Sequence, residues 1–296
     1  MGKKHIKWVL GIAGLLFFVF FVFFFVIFLS GDGLPFGDKV AVVEVEGIIT
    51  EPESINKQIK EFVERDDVKA IVVRINSPGG GVGPSQEIYR EVKKAGAKKK
   101  IIASMGAVAA SGGYYIAAAA DKIVANPGTI TGSIGVIMEF ANAEELLNKI
   151  GFKGYVIKSG EYKDIGSPLR GMKDDEKRLL QNVIDDVHQQ FVGIVAENRK
   201  LKIDAVKKFA DGRIFSGQQA KDIGLVDDIG NFQDAIDIAA SMANIKGKPI
   251  VLYPEKKGIR LWDIIFGDAA STLGGQMLKK LKGGYGGLQY LFPYSI

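Results

Sequence analysis

The longest apolar pattern in the chain is an uninterrupted run close to its start. Residues 8–29 carry no charge, and Lys3, Lys4 and Lys7 precede them. A helix of that length spans roughly 30 Å, the thickness of the hydrocarbon core of a bilayer. The lysines predict a cytoplasmic tail at residues 1–7 and translocation of the chain that follows the run. A cleaved signal peptide is the alternative, but the run is too long for one and no small-residue cleavage site follows it.

Beyond residue 39, short β-rich runs alternate with amphipathic helical patterns. Between the β-rich residues 40–45 and 70–75, Ile55, Ile59 and Phe62 recur at helical spacing and predict a helix at 53–65. Further strands are predicted at 101–104, 122–125 and 155–157, and further helices at 84–94, 111–120, 174–199, 203–209, 217–223 and 232–242. This alternation indicates an α/β fold with a parallel sheet and right-handed crossovers.

Changes in composition divide the chain into segments. Residues 30–38 are predicted to form a glycine-rich linker, residues 39–255 one folded domain, and residues 256–296 a C-terminal tail. The tail joins an amphipathic stretch at 258–282 to an apolar end at 288–296. We interpret it either as a contact with the membrane surface or another subunit, or as an extended peptide that docks in a substrate groove.

Charge and residue usage exclude several classes of function. The formal net charge is +5, and it falls to +2 without the three N-terminal lysines, since 36 Lys and Arg then remain against 34 Asp and Glu. This small excess does not indicate a nucleic-acid-binding surface. The absence of cysteine excludes thiol catalysis and disulfides, and it leaves any metal site to histidine and carboxylate ligands. Of the two histidines, His5 lies before the apolar run and His188 in a predicted helix, so neither is expected to be catalytic.

Two glycine-rich segments follow predicted strands, at residues 76–81 and 106–113. Both are expected as turns at the carboxyl edge of the sheet, where open α/β sheets bind ligands and where glycine lets a substrate approach the backbone. Neither has the spacing of a phosphate-binding loop or of a dinucleotide fingerprint, so nucleotide binding is disfavoured. The segments instead predict a cleft for another ligand.

Ser111 stands where the second glycine-rich segment becomes a helix. The helix N-terminus favours developing negative charge, and the N–H groups of Gly112 and of Gly80 or its neighbour are possible donors to an oxyanion. A structural N-cap serine remains the commoner explanation of this local pattern alone. A nucleophilic serine would need a base, and a lysine whose pKa is depressed by burial can serve, with Lys158 and Lys163 as candidates among many lysines.

Four ordered motifs, at residues 76–81, 105–115, 131–136 and 159–168, resemble the signal peptide peptidase A family. The similarity runs from about residue 40 to residue 240. It implies the fold of the Clp protease and crotonase group, a repeated ββα superhelix, here behind one N-terminal transmembrane helix. It also implies a Ser/Lys dyad that needs no metal or other cofactor. This implication decides between the two explanations of Ser111 in favour of the nucleophile.

By motif position the resemblance assigns Ser111 as nucleophile, Lys163 as general base and Gly80 and Gly112 as oxyanion donors. Ser133 falls where a hydroxyl holds the lysine amine in place. Asp164 follows the base directly and would oppose a depressed lysine pKa unless it points away.

The resemblance further implies a ring- or dome-shaped homo-oligomer at the cell membrane, in which the lysine reaches the serine of an adjoining protomer outside the cytoplasm. Its substrates would be cleaved signal peptides and other apolar peptides, entering a mouth lined by Ala107, Val108 and Ala109. Three alternatives stay open: a crotonase-like acyl-CoA enzyme, a membrane scaffold that binds peptides without cutting them, and a protease that cuts stomatin-like membrane proteins.

Overall fold

The computed structural model describes residues 3–29, 37–254 and 289–291 of the chain. The helices are α1 Lys3–Leu29, α2 Glu53–Glu64, α3 Val82–Gly96, α4 Gly112–Ala117, α5 Glu144–Lys149, α6 Asp174–Arg199, α7 Ile203–Lys207, α8 Gly217–Asp222 and α9 Phe232–Met242. The strands are β1 Lys39–Ile49, β2 Val68–Gly81, β3 Lys100–Ala110, β4 Lys122–Ala125, β5 Ile130–Gly132, β6 Ile214–Ser216, β7 Asp228–Ile229, β8 Ile250–Leu252 and β9 Gln289–Leu291.

Helix α1 coincides with the apolar run near the start of the chain. Its side chains are described at residue 8 and at residues 11–25, and all of these are exposed. No stretch of the described residues qualifies by length and apolarity as a membrane span. The transmembrane anchor therefore stays a prediction.

The sheet is mostly parallel, as the alternating pattern predicts. Its strand order is β6-β5-β3-β2-β1-β8, with β4 pairing with β3 and β7 and β9 pairing with β2. Strands β1, β2 and β3 run parallel, with Val42 opposite Val72 and Val72 opposite Ile102, and their register shifts close to the glycine-rich end of β2. These strands are almost continuously apolar because both faces of a parallel sheet are covered by helices.

The two faces of the sheet pack against different helices. On one face Val43, Val73 and Ile101 meet helices α2, α3, α4 and α6 in the larger core. On the other face Val72 and Ile102 meet helix α9 in a smaller one. Alternate residues of each strand point to opposite faces, so each central strand contributes to both cores.

The predicted strand at residues 155–157 is wrong. The chain there forms no strand, and the side chains of Tyr155 and Ile157 are 87% and 102% exposed. A β-rich run becomes a strand only where a neighbouring strand satisfies its backbone hydrogen bonds, and no strand among the described residues pairs with this one.

The glycine-rich segments expected as turns are instead the ends of long strands. Strand β2 continues through residues 76–81, and strand β3 continues to Ala110. Pairing explains the extension, because Ile49 of β1 lies opposite Gly80 and Gly132 of β5 lies opposite Ala110. The helix predicted from residue 111 begins at Gly112, and the amphipathic stretch predicted at 258–282 lies outside the described residues.

Candidate functional site

The ends of β2, β3 and β5 converge on Ser111. The backbone N–H of Ser111 donates to the carbonyl oxygen of Gly132 at 2.8 Å, and Tyr115 N–H donates to the carbonyl of Ser111 at 2.8 Å. The first bond attaches Ser111 to β5 and the second starts helix α4. Ser111 therefore stands at a sharp strand-to-helix turn, and it is 1% exposed.

The backbone of Ser111 is strained. Its φ of 53° and ψ of −116° lie in a region that residues with a Cβ rarely adopt, at a cost of about 1–3 kcal/mol. The serine occupies the N-cap position of α4, but its side chain makes no capping hydrogen bond. In the same chain Ser216 does cap a helix, accepting from the N–H of Gln219 at 3.2 Å. The geometry of Ser111 thus does not support the explanation that its hydroxyl is there to cap the helix.

A peptide carbonyl lies between two glycines next to Ser111. A Cβ placed on Gly79 would stand 2.0 Å from the carbonyl oxygen of Tyr290 and 2.8 Å from the backbone nitrogen of Gly112. A Cβ on Gly112 would stand 3.2 Å from the same oxygen and 2.5 Å from the hydroxyl of Ser85. Only residues without side chains leave room for this carbonyl.

Gly79 and Gly80 differ in what they contact. The N–H of Gly79 already donates to Ser77 Oγ at 3.1 Å, and its φ of 107° favours glycine. A Cβ on Gly80 would collide with the backbone of Ile49, 2.1 Å from its carbonyl oxygen. Gly80 is therefore fixed by packing against β1, while Gly79 is the glycine that faces the Tyr290 carbonyl. The sequence pattern indicated Gly80 and did not single out Gly79.

That carbonyl belongs to strand β9, near the C-terminus of the chain. Strand β9 runs antiparallel to the end of β2, with Tyr290 opposite Gly80. The Tyr290 side chain is fully buried, and its ring centroid lies 5.0 Å from that of Tyr115 and 4.7 Å from that of Phe191. Its hydroxyl donates to the carbonyl of Val187 at 3.3 Å, and burial raises the pKa of the phenol.

The pocket around Tyr290 was not indicated by the sequence. Tyr115 and Phe191 come from α4 and α6, which are far apart along the chain, and an aromatic residue in a helix is usually core. Of the three small residues expected at the mouth, only Ala107 is exposed, while Val108 and Ala109 are buried. Their burial follows from their places in β3, which pairs there with β5.

Lys163 lies in an exposed turn, with its N–H donating to the carbonyl of Gly160 at 3.2 Å. No hydrogen bond among the described residues joins its amine to Ser111. The carboxylate of its neighbour Asp164 binds Arg170 at 2.9 Å and Lys158 at 2.5 Å. Hydrogen bonds from Arg170 and then Lys158 hold the pKa of Asp164 well below its usual range. Lys158 is thereby engaged in an ion pair.

Ser133 lies directly after the glycine that holds the backbone of Ser111. It is 6% exposed, its φ is 50°, and its N–H donates to the carbonyl of Arg213 at 2.8 Å. The structure thus brings Ser111, Gly112, Gly80 and Ser133 to one place, and among the described residues no hydrogen bond joins Lys163 to any of them. Among the described residues, no group of three or more His, Asp or Glu side chains is placed to hold a metal ion.

Comparison with known proteins identifies related sequences. The pattern of peptidase family S49 matches residues 93–246, and that of Clp protease matches residues 44–129. A provisionally named protease of Synechocystis sp. is 49% identical over 209 residues, covering 70% of this chain and 75% of that protein. A provisionally named signal peptide peptidase SppA of Enterococcus faecium is 37% identical over 231 residues, or 73% and 67% of the two chains. The chloroplastic serine protease SPPA of Arabidopsis thaliana is 35% identical over 277 residues, or 90% of this chain and 39% of that one.

Proposed function

The chain belongs to peptidase family S49, and from this premise we propose that it is a serine endopeptidase with a Ser/Lys dyad. Ser111 is the nucleophile and Lys163 of a neighbouring copy is the base. The observation that carries the proposal is the Tyr290 carbonyl, held between Gly79 and Gly112 beside Ser111. A scissile carbonyl would occupy the same place.

In the proposed reaction the lysine amine takes the proton of the Ser111 hydroxyl as Oγ attacks the peptide carbonyl. The resulting oxyanion is stabilised by the N–H groups of Gly112 and Gly80. Gly80 is preferred to Gly79 as donor because the N–H of Gly79 is taken by Ser77. The intermediate then expels the amine, which takes the proton from the lysine, and water hydrolyses the acyl-enzyme.

Assembly supplies the lysine in this proposal. Within one chain Lys163 is exposed, whereas Ser111 is buried at the end of β3. The segment that carries Lys163 also exposes large apolar side chains, including Ile150 at 68% and Tyr155 at 87%. Exposed apolar patches of this kind mark contact surfaces. A second copy that covers the patch would bring Lys163 to a neighbouring Ser111, with the Ser133 hydroxyl near enough to hold the amine.

We also propose that the enzyme is anchored in the cell membrane by α1. Helix α1 is 27 residues long, and its described residues 11–25 are exposed on every side. The support lies in the sequence, because residues 8–29 carry no charge and such a run favours an apolar environment. With the lysines at its start, the catalytic domain would lie outside the cytoplasm.

The proposed substrates are cleaved signal peptides and other apolar peptides. The pocket that receives the Tyr290 ring is lined by Tyr115 and Phe191, and it would accept a large apolar or aromatic residue on the acyl side of the cleaved bond. Pairing with the end of β2 holds the backbone of a peptide in extended form, as β9 is held. Strand β9 is accordingly interpreted as occupying the substrate groove.

The test is hydrolysis of fluorogenic apolar peptides by the full chain purified in detergent. Ser111→Ala and Lys163→Ala are expected to lower kcat/KM by at least about 1000-fold at unchanged assembly size. Ser241→Ala and Lys207→Ala, exposed residues on α9 and α7, are the matched controls and should leave activity unchanged.

A wild-type chain that assembles but cuts none of several apolar peptides would contradict the proposal and favour a peptide-binding scaffold. Equal rates for Lys163→Ala and wild type would be compatible with a serine protease but would contradict the role of Lys163 as its base. Cleavage of a stomatin-like membrane protein but of no apolar peptide would contradict the proposed substrates and leave the proposed mechanism intact.

A further inference from the structure

We propose that Arg170 is a positioning residue for the base: it ties the Lys163 turn to helix α6 and engages the carboxylate of Asp164, the residue that directly follows the lysine. This inference rests on the proposed function of Lys163. It concerns a residue outside the four motifs and outside the groove.

Arg170 binds two carboxylates at once. Its Nε and Nη2 donate to the two oxygens of Asp164, each at 2.9 Å, and Nη2 also reaches the backbone carbonyl of Asp164 at 3.3 Å. Its Nη1 and Nη2 donate to the two oxygens of Glu176 at 2.8 Å and 2.5 Å. Bidentate pairs of this type fix orientation as well as distance. The guanidinium therefore bridges the Lys163 turn and the first turn of α6.

Helix α6 is a suitable anchor because its start and its middle are both fixed. The side chain of Glu176 is 1% exposed, and it also accepts from the N–H of Lys173 at 2.9 Å, which caps the helix. Further along α6, Phe191 and Val195 are fully buried in the larger core. The turn is thus attached to an element that the core holds in place.

The other neighbour of Lys163 is attached to the same turn of α6. The hydroxyl of Tyr162 donates to Asp175 Oδ2 at 3.3 Å. Residues on both sides of Lys163 are therefore held by α6, while Lys163 itself remains exposed. This arrangement directs one side chain outward from a fixed support, as a base that must reach another protomer requires.

The same contacts set the charge next to the lysine. Arg170 and Lys158 balance Asp164 and Glu176, and hydrogen bonds from Arg170 lower the pKa of Glu176 to about 2. The other charged or titratable groups of this region come from the turn, from the start of α6 and from α5: Glu161, Tyr162, Lys173, Asp174, Asp175, Lys177 and Glu144. Loss of the Arg170 charge leaves an excess negative charge, which stabilises the protonated lysine, and loss of the Asp164 charge does the opposite.

The experiment compares pH profiles of kcat/KM for the full chain in detergent, using an apolar fluorogenic peptide. Arg170→Gln is expected to lower activity about tenfold and to move the acidic limb to higher pH by roughly half a unit to one unit. Asp164→Asn is expected to move that limb to lower pH. Arg170→Lys keeps the charge but loses the bidentate contacts, so the limb should return towards wild type while the rate stays reduced.

The acidic limbs of Arg170→Gln and Asp164→Asn are thus expected to move in opposite directions. A general loss of structure would instead lower the rate of both variants and leave their two limbs at the same pH. Arg65→Gln is the matched control, since Arg65 forms a similar bidentate pair with Asp67 at 3.0 Å and 2.8 Å and should leave the profile unchanged. Limbs that coincide for Arg170→Gln and Asp164→Asn would overturn the inference. If Lys163→Ala retains activity, the dyad fails instead, and the two failures are thereby distinguished.

Discussion

The strained backbone of Ser111 leads to a prediction that separates its activity from its stability. Ser111→Ala keeps a Cβ at a φ of 53°, whereas Ser111→Gly removes it. Both variants should be inactive, and the glycine variant should be more stable than the alanine variant by about 1 kcal/mol, because the relief of strain exceeds the entropy cost of glycine. Thermal unfolding of the two variants checks this. A less stable glycine variant would mean that the turn is not strained.

Gly79 is predicted to be indispensable for peptide binding. In Gly79→Ala the new methyl group would stand 2.0 Å from the bound carbonyl oxygen and at a φ of 107°, so cleavage should fall at least about 100-fold. Gly83→Ala is the control, because nothing lies within 4 Å of a Cβ there and alanine suits a helix better than glycine. Peptide hydrolysis by both variants is the measurement. Wild-type activity in Gly79→Ala would contradict the proposed position of the scissile carbonyl between Gly79 and Gly112.

The role of a site residue can be predicted from the sequence when a local motif determines its position, but not when distant contacts do. Ser111, Gly80, Gly112 and Ser133 fall within recognisable motifs, and the structure places them together. Gly79 was not distinguished because three consecutive glycines look alike until their neighbours are known. Its role depends on Ser77 and on a carbonyl that lies far along the chain.

Secondary structure was predictable where the chain's own periodicity decides it. The apolar runs of β1 to β3 and the helical spacing of α2, α6 and α9 reappear as predicted elements. Strand ends were not predictable, because glycine-rich residues 76–81 become β-structure only by pairing with β1 on one side and β9 on the other. Residues 155–157 show the opposite case: their β-rich sequence forms no strand, since no described strand pairs with them.

Strand β9 is predicted to compete with substrate for the groove. A segment tethered to the same chain binds at a high effective concentration, and it buries the Tyr290 ring completely. Deletion of residues 289–296 should therefore raise peptidase activity several-fold and lower KM. Tyr290→Ala should act in the same direction, because it removes the aromatic contacts with Tyr115 and Phe191. An unchanged or lower specific activity at equal assembly size would contradict this role of β9.

In the proposed mechanism one chain supplies the groove and the nucleophile, and a neighbouring copy supplies the base. The core positions the nucleophile and the bound peptide, since β2, β3 and α4 all take part in it. The lysine stands on an exposed segment with apolar side chains such as Ile150 and Ile157, which the core does not cover. On the proposed function, the fold of one chain would account for substrate binding, and the proton transfer would depend on the assembly.

Complementation between inactive variants tests that division. A Ser111→Ala protomer still carries the lysine, and a Lys163→Ala protomer still carries the serine. If the dyad forms between copies, co-assembly of the two variants should restore about a quarter of the wild-type activity, because each half-site is intact in half of the protomers. Rates are measured after dissociation and joint reassembly, with each variant treated alone as the control. A mixture as inactive as its components, at normal assembly size, would place the lysine and serine of each active site in the same chain.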